Sequence, residues 1–349
     1  MELLKELCEC SGVPGQEARL REIVRREMDA VADEMRVDAL GNLIVLKRAT
    51  KRRSPKKLMV AAHMDEIGFV VSNIDERGLL RLVPMGGHDP RNMVAQRVTV
   101  CGTRRDLTGL LYPGIKPPHI QTDADRGKAL QVSDFVVDLY MPASRVKREV
   151  EVGAMVTLQR DFTEIGKGVS CKAMDDRLSV YVMIRAMQKA ESFGFDTYAV
   201  ATTQEEVGLR GATVSAFGVE PDVGVALDIT LAADIPGVPE HEYVTKLGEG
   251  AAIKLMDSSA ISHPGLVAHL KALAKQRKIK YQMEILPRGG TDAGGIQRIR
   301  AGVPVVTLSV PTRYVHTSIE LADRGDIEAA VKLLTAFIEE GQKADLTMV

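Results

Sequence analysis

Two imidazoles and several carboxylates stand at or just beyond short apolar runs that read as strands. They are His63 and Asp65 after LMVAA, Glu205 and Glu206 after YAVATTQ, Asp228 after VGVAL, and His316 after VTLSVPTRYV. Strand ends of one sheet can meet at a point, and mixed imidazole and carboxylate donors suit zinc-like or cobalt-like ions. In His63-Met64-Asp65 an extended backbone lets the second side chain turn back toward the first. Asp65 is therefore expected to accept the other ring N–H of His63 and fix its tautomer, a solvated loop acid being the alternative. Adjacent carboxylates such as Glu205-Glu206 repel one another unless a cation lies between them. One can ligate while the other faces a water as general base, although EEVGLRGA also reads as the acidic start of a helix. Asp175-Asp176, in CKAMDDRLSVYV, likewise reads as a metal bridge or a helix cap. Arg177 can hold either carboxylate through a bidentate pair.

The elements that position these residues follow from apolar patterning. Leu20, Ile23, Val24 and Met28 recur at helical spacing over 17–28, and two strand-like runs follow over 35–47, divided by Gly41-Asn42. Leu58 to Ala62 reads as a strand buried on both faces that delivers His63 at its carboxyl end, where sites gather in open α/β sheets. Between Gly68 and Gln159 the texture becomes short β-like runs such as GLLRLVPMGG, QRVTVCGT and FVVDLYM, read as an inserted β domain. Its middle, GLLYPGIKPPHIQTDADRGK, reads as a loop. From Asp176 a helix carries Leu178, Val182, Ile184 and Met187 on a broad apolar face. Strands at 198–203, 223–227, 281–286 and 305–308 alternate with helices at 265–277 and 326–340, which implies an α/β sandwich. The expected organisation is a discontinuous α/β domain, 1–67 plus 160–349, interrupted by a β domain at 68–159.

Composition removes several classes of function. The 349 residues hold 46 Lys plus Arg against 47 Asp plus Glu, so no net basic field draws nucleic acid or an anionic membrane. Cys8, Cys10, Cys101 and Cys171 form no CxxC pair and read as reduced thiols. MELLKELCECSG lacks the apolar region of a signal peptide, and no apolar run approaches the roughly 18 residues of a membrane helix. The compartment expected is the cytoplasm. Trp is absent and aromatics are 4%, which argues against a cleft that stacks sugars or bases.

HMDEIGF at 63–69, KAMDDR at 172–177, TTQEEVGLRGA at 202–212, ALDIT at 226–230, GGTDAGG at 289–295 and RYVHTS at 313–318 together resemble the M42 metallo-aminopeptidases. This is the tetrahedral-aminopeptidase group, whose members are often labelled endoglucanase or cellulase. The resemblance runs end to end and in order. It implies a three-layer α/β/α metallopeptidase domain with an inserted PDZ-like β domain for dimerisation, peptide substrates, and dimers assembling to a dodecamer. It implies two divalent ions per subunit, Zn or Co first and Mn also acceptable. His63 and Asp228 would hold one ion and Glu206 and His316 the other, with Asp175 between them. Glu205 would be the base and Asp65 would orient His63. Gly290, Thr291 and Asp292 match a loop near the site with no assigned duty. Ser179 departs from the glycine that relatives often carry. His119 reads as structural or solvent-facing, and His88, His241, His263 and His269 as ordinary residues.

Two other readings compete. A glycoside hydrolase uses two carboxylates flanking a sugar and leaves both imidazoles without purpose. A catalytically silent assembly protein is expected to lack a ligand or base, and none is missing here.

Overall fold

A computed structural model of the chain describes residues 1–50 and 55–348. The strands in chain order begin with β1 Glu34–Val37, β2 Leu43–Lys47 and β3 Lys57–His63. β4 Gly68–Ile74, β5 Leu80–Met85, β6 Gln96–Cys101, β7 Asp106–Pro113, β8 Phe135–Asp138 and β9 Met155–Leu158 follow. The rest are β10 Thr163–Ile165, β11 Gly168–Cys171, β12 Asp196–Thr202, β13 Val223–Leu231, β14 Ala251–Met256, β15 Tyr281–Ile285, β16 Val305–Arg313 and β17 Glu320–Asp323. The helices that flank the larger sheet are α1 Glu2–Glu9, α2 Ala18–Met28, α3 Met174–Lys189, α4 Arg210–Val219, α5 Pro264–Gln276, α6 Asp292–Gln297 and α7 Arg324–Glu340.

The larger sheet runs in the order β1-β2-β12-β3-β13-β16-β17-β11-β10, with β14 and β15 branching from β16. At its centre β12, β3, β13 and β16 are parallel. β3 explains the layering: Leu58, Val60 and Ala62 enter a core with α1, α2, α3, α5 and α7, whereas Met59 and Ala61 enter a second core with α4 and α6. Side chains alternate between faces, so a continuous apolar run demands cover on both. The fold is thus a mixed α/β fold with helices on each side of the sheet.

The turn between β1 and β2 is built by Asp38, whose Oδ1 accepts the amides of Leu40, Gly41 and Asn42 while Gly41 takes a φ of +99°. β4, β5, β8, β7, β6 and β9 close a barrel around Phe69, Leu80, Val98, Leu111, Phe135 and Val156. Part of the stretch expected as a loop is strand: β7 carries DLTGLLYP with alternating exposed and buried positions, and Gly109 lets it close on Val137. The pattern is period two and simply interrupted by a glycine.

β16 also runs past its expected end, through Pro311. Proline is tolerated because position 311 falls between residues 307–309, paired with β14, and 312–313, paired with β17, so no ladder on that side asks for its missing N–H. β13 likewise extends to Leu231, which places Asp228 inside the strand, opposite Ser309. Among the described residues no helix is long and apolar enough to cross a membrane.

Buried Asn42 staples β2 to the exit of β12: its Oδ1 accepts the Thr203 amide at 2.9 Å and its Nδ2 donates to the Gly211 carbonyl at 3.1 Å. A Cβ on Gly211 would stand 2.4 Å from the Thr203 carbonyl oxygen. Gly211→Ala is therefore expected to cost about 1–3 kcal/mol, as overpacking does, seen as a lower urea midpoint at unchanged slope. A midpoint equal to that of the unaltered chain would contradict this close approach.

Candidate metal centre

The carboxyl ends of the parallel strands open on one cavity of ≈ 580 Å³, lined by His63, Asp175, Glu205, Glu206, Asp228 and His316 among others. β3 ends on His63, β12 leads into Glu205 and Glu206, β13 contributes Asp228, and the segment after β16 carries His316. Asp175 comes from the junction between β11 and α3, where Asp175 and Asp176 have non-helical backbone angles and the peptide between them is cis. No side chain caps this helix, so neither acid serves as its cap. Glu205 and Glu206 precede α4, which begins only at Arg210, and they are not its first turn.

The candidate ligand atoms form two groups, His63 with Asp175 and Asp228, and Asp175 with Glu206 and His316, each within 4.8 Å of one another. Asp175 belongs to both. Its Oδ1 lies 3.1 Å from His63 Nε2 and its Oδ2 3.3 Å from His316 Nε2, which is also 3.4 Å from Glu206 Oε1. Glu205 Oε2 stands 4.0 Å from His63 Nε2, and this carboxylate makes no closer ion pair among the described residues.

The donor set fits a cation. His63 Nδ1 lies 3.0 Å from the main-chain oxygen of Asp65, which can only accept, so the neutral ring carries its proton there and turns a lone pair on Nε2 toward the Asp175 carboxylate. Two acceptors at 3.1 Å require a proton or a metal between them. Glu206 Oε1 and Asp176 Oδ1 are buried with no hydrogen-bond partner, another unmet demand for positive charge. The cavity's buried ammonium, Lys254, is already 3.0 Å from Glu284.

Without a dication the site's titration is strongly displaced. Burial pushes Asp228 and Glu205 well above the ordinary carboxylate range, with neighbouring acids adding to the rise. Burial opposes charge on both imidazoles, yet Asp175 and Asp65 hold His63 well above its usual value. Asp175 and Glu206 likewise hold His316 up at about 12. Asp175 is lowered despite its burial because both histidines hydrogen-bond to it.

The surrounding carboxylates bind backbone. Asp65 was expected to reach His63 through its side chain, but its Oδ1 is 3.6 Å from that ring and the main-chain oxygen makes the bond instead. Its carboxylate accepts the amides of Glu205 at 3.1 Å and Glu206 at 3.0 Å. Arg177 holds neither Asp175 nor Asp176. It donates to the carbonyls of Leu7, Cys10 and Gly12 and lies 3.5 Å from Glu66, the carboxylate that also binds Lys172 at 2.7 Å. These partners lie in α1 and the segment after it, far from Arg177 in sequence.

Gly290 and Thr291 line the cavity, while buried Asp292 accepts the Thr202 hydroxyl at 2.5 Å and so anchors the end of β12. His119 is exposed. His88 donates to the Gly68 carbonyl and stacks on Phe69. Sequence reasoning missed Glu320, whose oxygens take the amides of Asp175 and His316. It also missed Gly87, where a Cβ would stand 3.3 Å from His316 Nδ1. A lone glutamate opening a four-residue strand gives no periodic signal, but the GG of VPMGGH is one that close approach could have explained.

A family model described as M42 glutamyl aminopeptidase matches residues 41–333. The lysyl aminopeptidase of Pyrococcus furiosus is 36% identical over 352 residues, 99% of each chain. Among solved structures, aminopeptidase APDkam598 from the archaeon Desulfurococcus kamchatkensis superposes with a TM-score of 0.92 at 36% identity, covering 97% of this chain and 94% of that one. Pyrococcus horikoshii TET1 peptidase, described as assembling into a tetrahedron or a large octahedral shell, has a TM-score of 0.85 at 30% identity over 97% of this chain and 99% of its own.

The displaced acids and imidazoles give the metal-free chain a defined pH response. Groups raised in the folded state, such as Glu320 to about 8 and Asp292 to about 6 by burial, keep protons that the unfolded chain has released. The same holds for His316. Stability then falls as pH rises from 6 to 8; lowered Asp175 acts only below the ordinary carboxylate range. The melting temperature in chelator is expected to be lower at pH 8 than at pH 6, with added zinc narrowing the gap. An equal or higher value at pH 8 in chelator would contradict this account.

Proposed function

The chain belongs to the M42 peptidase family, and on that premise we propose that it is a dinuclear-metal aminopeptidase releasing residues one at a time from the free amino end of peptides. The observation that carries this reading is the pair of ligand groups sharing Asp175 on the floor of one cavity. His63 and Asp228 would hold one ion and Glu206 and His316 the other, with Asp175 available to both. Zn and Co suit these donors first and Mn also. When bound, such ions polarise the scissile carbonyl and lower the pKa of an attacking water.

The chain's own side chains do the rest. Glu205, lining the cavity and free of any close ion pair, takes the water's proton on its carboxylate and delivers it to the leaving amine nitrogen. Asp65 holds that glutamate by its amide and the His63 ring by its carbonyl, so base and ligand keep a fixed separation. Among the described residues the cavity lining holds no Phe, Tyr or Trp on which a sugar could stack, which favours the peptidase reading over a sugar-cleaving one.

We further assign 68–159 to an inserted, PDZ-like unit through which copies associate, and 1–67 with 160–349 to the discontinuous catalytic domain. The exposed side chains Val83 on β5 and Leu110 and Tyr112 on β7, the two strands that flank β8 in the barrel, support that role. The assemblies described for TET1 peptidase support dimers building to a dodecamer.

Glu205→Gln is expected to lower kcat by roughly 10²- to 10⁴-fold on aminoacyl chromogenic substrates while the bound metal content is unchanged. Turnover at the ordinary rate would overturn the base assignment. For the activity itself, a free-amino peptide should lose its first residue in a chelator-sensitive reaction, while the same peptide N-acetylated is spared. Cleavage of both alike would refute an aminopeptidase.

A further inference from the structure

Glu320 opens β17 and is 2% exposed, and its burial uses both carboxylate oxygens. Oε1 accepts the His316 amide at 2.8 Å and Oε2 the Asp175 amide at 3.0 Å. We propose that Glu320 is the positioning residue of one half of the metal centre, fixing the shared Asp175 and the imidazole of His316 at the separation that one ion requires. This rests on the dinuclear reading above and adds to it a residue that does not itself ligate.

The register of the sheet explains why Glu320 alone can serve. β17 pairs antiparallel with β11 so that Glu320 lies opposite Cys171, the last residue of β11 and four before Asp175. From there its side chain reaches past the strand end to the Asp175 amide. On its own strand side it faces the loop carrying His316, which is under backbone strain: Tyr314 and His316 both take a φ of +60°, a left-handed conformation that residues other than glycine adopt at a cost. An amide bonded to a buried carboxylate offsets that cost and holds the ring where it is needed.

The other group is tied to Glu320 only through the shared Asp175. His63 is held by the Asp65 carbonyl and by Asp176 Oδ2, which accepts its amide at 3.3 Å, and Asp228 is embedded in β13. Glu320 therefore braces two members of one half and a single, shared member of the other. Gln at position 320 keeps the shape but supplies one acceptor oxygen and turns an NH₂ donor toward an N–H, so one of the two ties is lost. Asp keeps both oxygens but is shorter by a methylene and cannot span both amides.

The test is cobalt titration of the full chain after chelation, followed by calorimetry and visible absorption, for the unaltered protein, Glu320→Gln, Glu320→Asp and His316→Ala. The unaltered chain should take two equivalents. In Glu320→Gln the step that His316→Ala removes should be weakened roughly 10- to 100-fold, as loss of a supporting partner does, and the other step, which feels Glu320 only through the shared Asp175, by distinctly less. Glu320→Asp, the milder change, must show the same split and serves where the Gln variant does not fold. Equal weakening of both steps would mark a general structural role and overturn the proposal, as would two unchanged steps. An unaltered chain that takes fewer than two equivalents overturns the dinuclear reading and this role with it.

Discussion

The constraint on which the rest depends is the crowding of carboxylates in a buried place. Asp175, Glu205, Glu206 and Asp228 converge with two imidazoles at the ends of parallel strands, where low dielectric makes like charges repel strongly. Such an arrangement persists only if the scaffold is stiff and positive charge is supplied. Stiffness comes from strands covered on both faces and from a core drawn from α1, α3 and α7. Positive charge in the metal-free chain comes from protons, which is why both imidazoles hold theirs so firmly.

A second layer of buried polar groups turns strand ends into a fixed frame. Asp65 takes the amides of Glu205 and Glu206, Asp292 takes the Thr202 hydroxyl, and Asn42 takes the Thr203 amide. Glu66 gathers Lys172 and, more loosely, Arg177. Asp65 and Glu66 are satisfied by backbone or by a named side chain, the condition under which a buried polar network rigidifies, whereas Asp292 keeps one buried oxygen without a hydrogen-bond partner. The residues that meet the cavity are thus distinct from those that hold them, although Asp65 and Asp292 lie within two positions of the cavity residues His63 and Thr291.

That interleaving also decides what could be read from sequence. β3, β12 and the helix at α3 were legible because an apolar run bounded by polar residues has few other interpretations, and the acids and imidazoles just beyond them come together in one cavity. β7 was hidden by Gly109 and the extension of β16 by Pro311, since both residues usually end a strand; here Gly109 stays in register opposite Val98, and Pro311 falls between the two ladders on one side of β16. α1 was not anticipated, being only two turns long. The partner of Arg177 could not be found because its carbonyl acceptors in 7–12 carry no side-chain signature. Asp65 was expected beside His63, and both its carbonyl at 3.0 Å and its carboxylate at 3.6 Å stand against that ring, a division between two acceptors that residue type does not reveal.

The ligand atoms are scattered from residue 63 to residue 316, with Glu320 later still. A chain emerging from a ribosome therefore displays its first imidazole and several acids long before their counterparts exist. The shared aspartate has no second histidine until almost the whole polypeptide has been synthesised, so the nascent molecule cannot trap an ion between them prematurely. Completion of the cavity's floor thus waits on the last segments of the chain, whatever the order in which the earlier ones fold.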